Sequence, residues 1–112
     1  MEDEYKKWLT QLRKGYIELS VLLLIKSKGD MHGLAIINFF NSIDLQINEG
    51  TLYPLLNRME KNDWLSSLWK IPQGKGHPRK EYKISKKGEE LLPLLLKTYN
   101  EHNTSFTKLQ EI

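Results

Sequence analysis

The chain has 112 residues, 39% of them apolar and 28% charged, with no cysteine and a formal net charge of +3. That length holds one domain with a modest core, of a size that association with a second copy stabilises. A helical membrane span is excluded, because the longest apolar run is "VLLLI" at 21–25, far short of the roughly 18 residues a span needs.

The opening "MEDEYKKW" has no apolar signal core, and with the absence of cysteine this sets the expectation of a cytoplasmic protein. Residues 5–28 then read as one long helix, with Tyr5, Leu9, Leu12, Tyr16, Leu19 and Leu23 at three- and four-residue steps and Trp8 beside them. Its second half is apolar nearly all round and is expected to cross the core, ending at Gly29-Asp30. A second helix is expected over about 32–43, with Ile36, Ile37, Phe40 and Ile43 on one face. Asn48 or Thr51 can cap a third helix, in which Leu52, Leu55, Leu56 and Met59 form a complete core stripe. Its opposite face carries Gly50, Pro54, Asn57, Arg58 and Lys61, and Asn62-Asp63 closes it.

"WLSSLWKI" at 64–71 and "RKEYKIS" at 79–85 alternate apolar and polar residues around the flexible "PQGKGHP", which predicts a β-hairpin. Ser85 opens a last helix. In it Leu92, Leu95, Tyr99, His102, Phe106 and Leu109 follow alternating four- and three-residue steps, and Pro93 predicts a kink or a restart. That seam continues past what a small core uses. It implies packing against another chain, the plainer alternative being a helix folded back on its own domain.

The modest net charge conceals an asymmetry. Residues 70–87 carry seven basic side chains and one acid, a local charge of +6 against −3 for the remainder. A polyanion fits a patch of that size, and a merely solvated hairpin is the other reading. Helix, helix, helix, basic-looped hairpin, helix is the winged helix-turn-helix order, in which the third helix enters the major groove and the wing meets the backbone or the minor groove. The expected fold class is therefore mainly α with a small β-hairpin, a winged helix-turn-helix flanked by N- and C-terminal dimerisation helices. Residues 1–84 form the DNA-binding unit and 85–112 the dimerisation helix.

Candidate contacts follow from residue chemistry. Asn57 can pair with adenine, and Arg58 or Lys61 can reach guanine edges or phosphates, with Arg58 the preferred base reader. Asn48 and Thr51 lie at the helix N-terminus, where hydroxyl and backbone donors suit a phosphate. Gly50 lets the backbone approach a phosphate closely, and Pro54 removes the N–H that would bond to the Gly50 carbonyl. Tyr53 sits at the flank of this surface, either packing or touching a phosphate. Lys75, Gly76, His77, Arg79 and Lys80 form the wing's sequence-independent contact surface.

"GYIELSVLLLIKSKGDMHGLAI", "NEGTLYPLLNRMEKNDWL" and "GKGHPRKEYKISKKGEELL" together resemble the PadR family of bacterial transcriptional regulators, over about residues 12–96. The single helix after the wing is similar to the short subfamily. The resemblance implies a homodimer that binds an inverted-repeat operator and represses neighbouring genes, with the first and last helices building the dimer. It also implies a small aromatic effector in some members. Trp8, Tyr99, His102 and Phe106 could line such a pocket, or with Leu92 and Leu95 form a packed seam without one.

Catalysis is not expected. The three histidines, His32, His77 and His102, fall on different elements, and no pair has metal-ligand spacing. Glu89 and Glu90 are adjacent and diverge by about 100° on a helix, so they cannot act as a paired acid and base. No cofactor or metal is called for. The alternative to a DNA-binding repressor is a winged-helix module that binds protein, for which Trp64 and Trp69 are the suggestive residues.

Overall fold

The computed structural model describes all 112 residues, Met1 to Ile112. Helix α1 spans Glu2–Lys28, with Glu2, Asp3 and Glu4 in its first turn and Lys26 and Lys28 in its last, charges that suit the two ends of the helix dipole. Its second half buries Ile17, Leu19, Val21, Leu22, Leu24 and Ile25. Its first half stands clear of the core, leaving Tyr5, Trp8 and Leu12 exposed. Gly29 ends it in a left-handed conformation (φ 89°) that suits a residue without a Cβ.

A two-residue strand, β1 (Met31–His32), follows, and then helix α2 (Gly33–Ser42). Ile36, Ile37 and Phe40 enter the core as expected. Ile43 does not: the helix has ended at Ser42, so its periodicity no longer governs, and Ile43 is exposed. Helix α3 (Glu49–Lys61) buries Leu52, Leu55, Leu56 and Met59, the predicted stripe. Strands β2 (Leu65–Lys70) and β3 (Arg79–Ile84) pair antiparallel from Leu65↔Ile84 to Lys70↔Arg79. A short 3-10 turn at Pro72–Gly74 begins the loop between them. The hairpin gains a third strand, because β1 pairs with β3 (Met31↔Tyr82, His32↔Glu81) and the sheet order is β1-β3-β2.

Helix α4 runs unbroken over Lys86–Gln110, straight through Pro93. The helix does not restart at Pro93, one of the two outcomes the proline led us to expect. Proline removes one hydrogen bond, to the Glu89 carbonyl, and Pro93 is exposed, where water can satisfy that oxygen. Ser85 caps α4 by accepting from the Gly88 N–H at 3.0 Å, and its hydroxyl donates to the Asp63 carbonyl. The Ser85 N–H donates to the Trp64 carbonyl at 3.1 Å, and Lys87 Nζ to the Asn62 carbonyl at 3.0 Å. A Cβ on Gly88 would overlap that Trp64 carbonyl, so glycine permits the approach. Leu92 joins the core and Lys26 pairs with Glu89 at 3.4 Å, so packing continues across residues 84 and 85.

Candidate nucleic-acid interface

Helix α3 is fixed first at its start. Asn48 accepts from the Thr51 N–H at 2.9 Å, so its amide oxygen serves as the cap. The buried stripe then sets which residues cannot turn inward. Gly50, Pro54, Asn57 and Lys61 form the exposed outer face. A Cβ added at Gly50 would meet only the Asn48 side-chain oxygen, at 3.4 Å, an ordinary contact. Nothing inside the fold therefore requires glycine at that position.

The two flanks of α3 differ. Thr51 and Arg58 turn toward α1, where Arg58 Nη2 lies 3.3 Å from Glu18 Oε1. Arg58, half-exposed, is thus turned to the α1 side of the outer face and engaged there through one terminal nitrogen. A rotation of about 100° per residue separates it from Asn57, and Glu18 holds it on the α1 side. Tyr53 occupies the other flank, its ring against Gly33 at the start of α2 so closely that a Cβ there would overlap it. Packing is the role the structure gives it, although an edge stays exposed.

On the wing, Lys75, Gly76, His77 and Arg79 are exposed. Arg79 Nη1 lies 3.2 Å from His32 Nε2. Burial, and then the Arg79 charge, hold the His32 imidazole below its ordinary value, so that it can accept from the guanidinium. Lys80 departs from expectation. Its Nζ lies 2.7 Å from Glu60 Oε1 and over the Tyr82 ring, and Ser67 donates to the same carboxylate. The Lys80 hydrogen bond, and then that of Ser67, lower the Glu60 value, while Glu60 raises that of Lys80. Lys80 is spent tying the wing to α3, because Glu60 presents the nearest countercharge. Trp64 packs against the core, whereas Leu68, Trp69 and Ile71 are exposed.

Sequence reasoning passed over the basic residues of α1. Residues 5–14 contain Lys6, Lys7, Arg13 and Lys14 and no acid, a signal that counting by segment could have found. Arg13 and Lys14 line a cleft with Thr51, Pro54 and Arg58. His32 was likewise missed as a neighbour of the wing.

The expected seam divides. Leu92 is in the domain's own core, and Leu95 and Tyr99 pack against it, with Tyr99 and Tyr16 ring centroids 5.7 Å apart. Leu95, Tyr99 and His102 share a cleft with Leu12, Tyr16 and Leu19 of α1. The His102 Nδ1–H is turned to the Thr98 carbonyl, at 2.9 Å. Trp8 and Phe106 do not line this cleft. They stand exposed near the free ends of the two helices, Trp8 stacked with Tyr5 at 6.3 Å, so a single aromatic pocket is not assembled within one chain. No group of three or more histidine or acidic side chains is placed to hold a metal, and no helix is long and apolar enough to cross a membrane.

Comparison with curated proteins finds no match. Solved structures give several. A PadR-like transcription factor from Bacteroides fragilis is 36% identical, over 92% of this chain and 98% of that one, with a TM-score of 0.76. A PadR family transcriptional regulator from Eggerthella lenta is 26% identical over 98% and 95%, with a TM-score of 0.80. A PadR-like transcriptional regulator from Bacillus cereus is 29% identical over 91% and 98%, at 0.78. The profile of the transcriptional regulator PadR-like family matches residues 21–93, from the buried half of α1 through the wing to Pro93 in α4. The chain belongs to that family of transcriptional regulators.

Proposed function

We propose that the protein is a cytoplasmic repressor that binds an inverted-repeat DNA operator as a homodimer, the outer face of α3 in the major groove and the wing on the backbone. The observation that carries this reading is the division of α3 into a wholly buried stripe and an outer face of Gly50, Pro54, Asn57 and Lys61, beside a wing whose Lys75, His77 and Arg79 are exposed. A two-fold dimer would set two such helices one turn of DNA apart, about 34 Å, or a multiple of it. The apolar side chains left exposed on α1 and α4, among them Trp8, Phe106 and Leu109, support self-association through those helices. A small aromatic effector would then lie between subunits, against Tyr99 and His102, and act by releasing DNA.

A salt titration tests the reading. Binding to the duplex upstream of the protein's own gene is expected to weaken by orders of magnitude between about 50 and 200 mM salt, as several phosphate contacts require. No binding to any duplex at low salt would overturn it. The exposed Leu68, Trp69 and Ile71 favour a second reading, a winged-helix module that docks on protein, and that outcome would bring it forward.

A further inference from the structure

The basic surface does not end at α3. Between the first half of α1 and the α1-facing flank of α3 runs a cleft of about 240 Å3, lined by Thr10, Arg13, Lys14, Thr51, Pro54 and Arg58 among others. Three cations meet there against one carboxylate, that of Glu18. Glu18 is only 16% exposed, so it sits low while the cations stand toward solvent. It engages one terminal nitrogen of Arg58 at 3.3 Å, which leaves most of the planar fork of donors for another acceptor. Thr51 adds a hydroxyl from the first turn of α3, where the positive end of the helix dipole favours an anion.

We infer that this cleft seats a phosphate of the DNA backbone, with Arg13 and Lys14 of α1 joining Arg58 and Thr51 as its donors. The inference rests on the DNA-binding reading above and assigns α1 a part in it. It also changes the role of Arg58 from base reader to phosphate ligand. The arginine is held on the α1 side of α3 by Glu18, and its neighbours there are two further cations. Arg13 and Lys14 lie outside residues 21–93, the part of the chain that the family profile describes. With the wing on one side of α3 and α1 on the other, phosphates are held on both walls of the groove that the outer face enters. The helix is thereby centred without reliance on any base.

The test uses the full chain and two probes, the duplex upstream of its gene and a short mixed-sequence duplex, titrated at several salt concentrations. R13A/K14A is expected to lower the slope of log affinity against log salt by about two for each DNA-bound subunit, and R58A by about one. Each variant loses affinity by the same factor on both duplexes, and R58K recovers most of what R58A loses. An R13A/K14A slope equal to that of the unaltered protein overturns the inference. So does an R58A loss confined to the upstream duplex, which would return Arg58 to base reading. Unfolding of R13A/K14A, followed by circular dichroism, is expected to match the parent, since Lys14 is exposed and Arg13 partly so. If the unaltered protein binds neither duplex, the DNA-binding reading itself fails, an outcome distinct from an unchanged slope.

Discussion

The fold does not need glycine at position 50. A methyl group there meets only ordinary contact with the Asn48 side chain, and alanine is the better helix former. Gly50→Ala is therefore expected to leave the urea-unfolding midpoint unchanged or raise stability by up to about 1 kcal/mol. The same variant is expected to bind duplex DNA more weakly in an anisotropy titration, because the backbone can no longer come close to a phosphate. Equal affinity would place Gly50 off the DNA. Tyr53 and Gly33 are the contrasting case, an aromatic ring and a glycine surface fitted to each other inside the protein.

Among the elements, the wing is set on α3 by Glu60. Its folded value lies below the ordinary 4.5. Its stabilisation is therefore complete at pH values above that ordinary value, and it is lost as pH falls through the lower folded one. Glu60→Gln is expected to cost about 1 kcal/mol or less at neutral pH, the pair being partly solvated. The difference from the parent should shrink in urea titrations carried below about pH 4. A difference that is constant with pH would mean that the glutamate contributes through packing alone. Neither this pair nor Arg58–Glu18 was legible beforehand, since each joins residues whose proximity depends on the finished fold. The third helix was legible because its apolar stripe keeps helical spacing from Leu52 to Met59, the last because its apolar and aromatic seam repeats from Leu92 to Leu109, and the hairpin because its strands alternate about a Pro- and Gly-rich loop. Strand β1 was not, for two residues define no period and Met31–His32 become a strand only by pairing with Tyr82 and Glu81. The helix restart expected at Pro93 does not occur, for a related reason. Pro93 states a local preference, and the packing of Leu92, Leu95 and Leu96 overrides it.

At the scale of the whole molecule, the chain is elongated, 58 × 34 × 25 Å, because the free ends of α1 and α4 extend beyond the core. Phe106 and Leu109, 60% and 62% exposed, are apolar side chains on the distal part of α4. Phe106→Glu is expected to weaken dimerisation by about 3 kcal/mol, roughly a hundredfold in the association constant, if the seam closes over it. Sedimentation equilibrium measures this directly, and an unaltered monomer–dimer balance would remove Phe106 from the seam.

The junction of Asn62, Asp63 and Trp64 with Ser85, Lys87 and Gly88 has a mechanical meaning. Three hydrogen bonds and one close backbone contact weld the exit of α3 to the entry of α4. Helix α4 is then a crank about 37 Å long at 1.5 Å per residue, with its bearing at the foot of α3. A sideways push of about 3 Å at its far end corresponds to a tilt of only about 5° at the bearing. The gearing reduces movement as it transmits it. In the proposed DNA-bound dimer, large rearrangements at the far ends would reach α3 as fine adjustments of aim, and a molecule gripping those ends would set the pitch of α3 without approaching it.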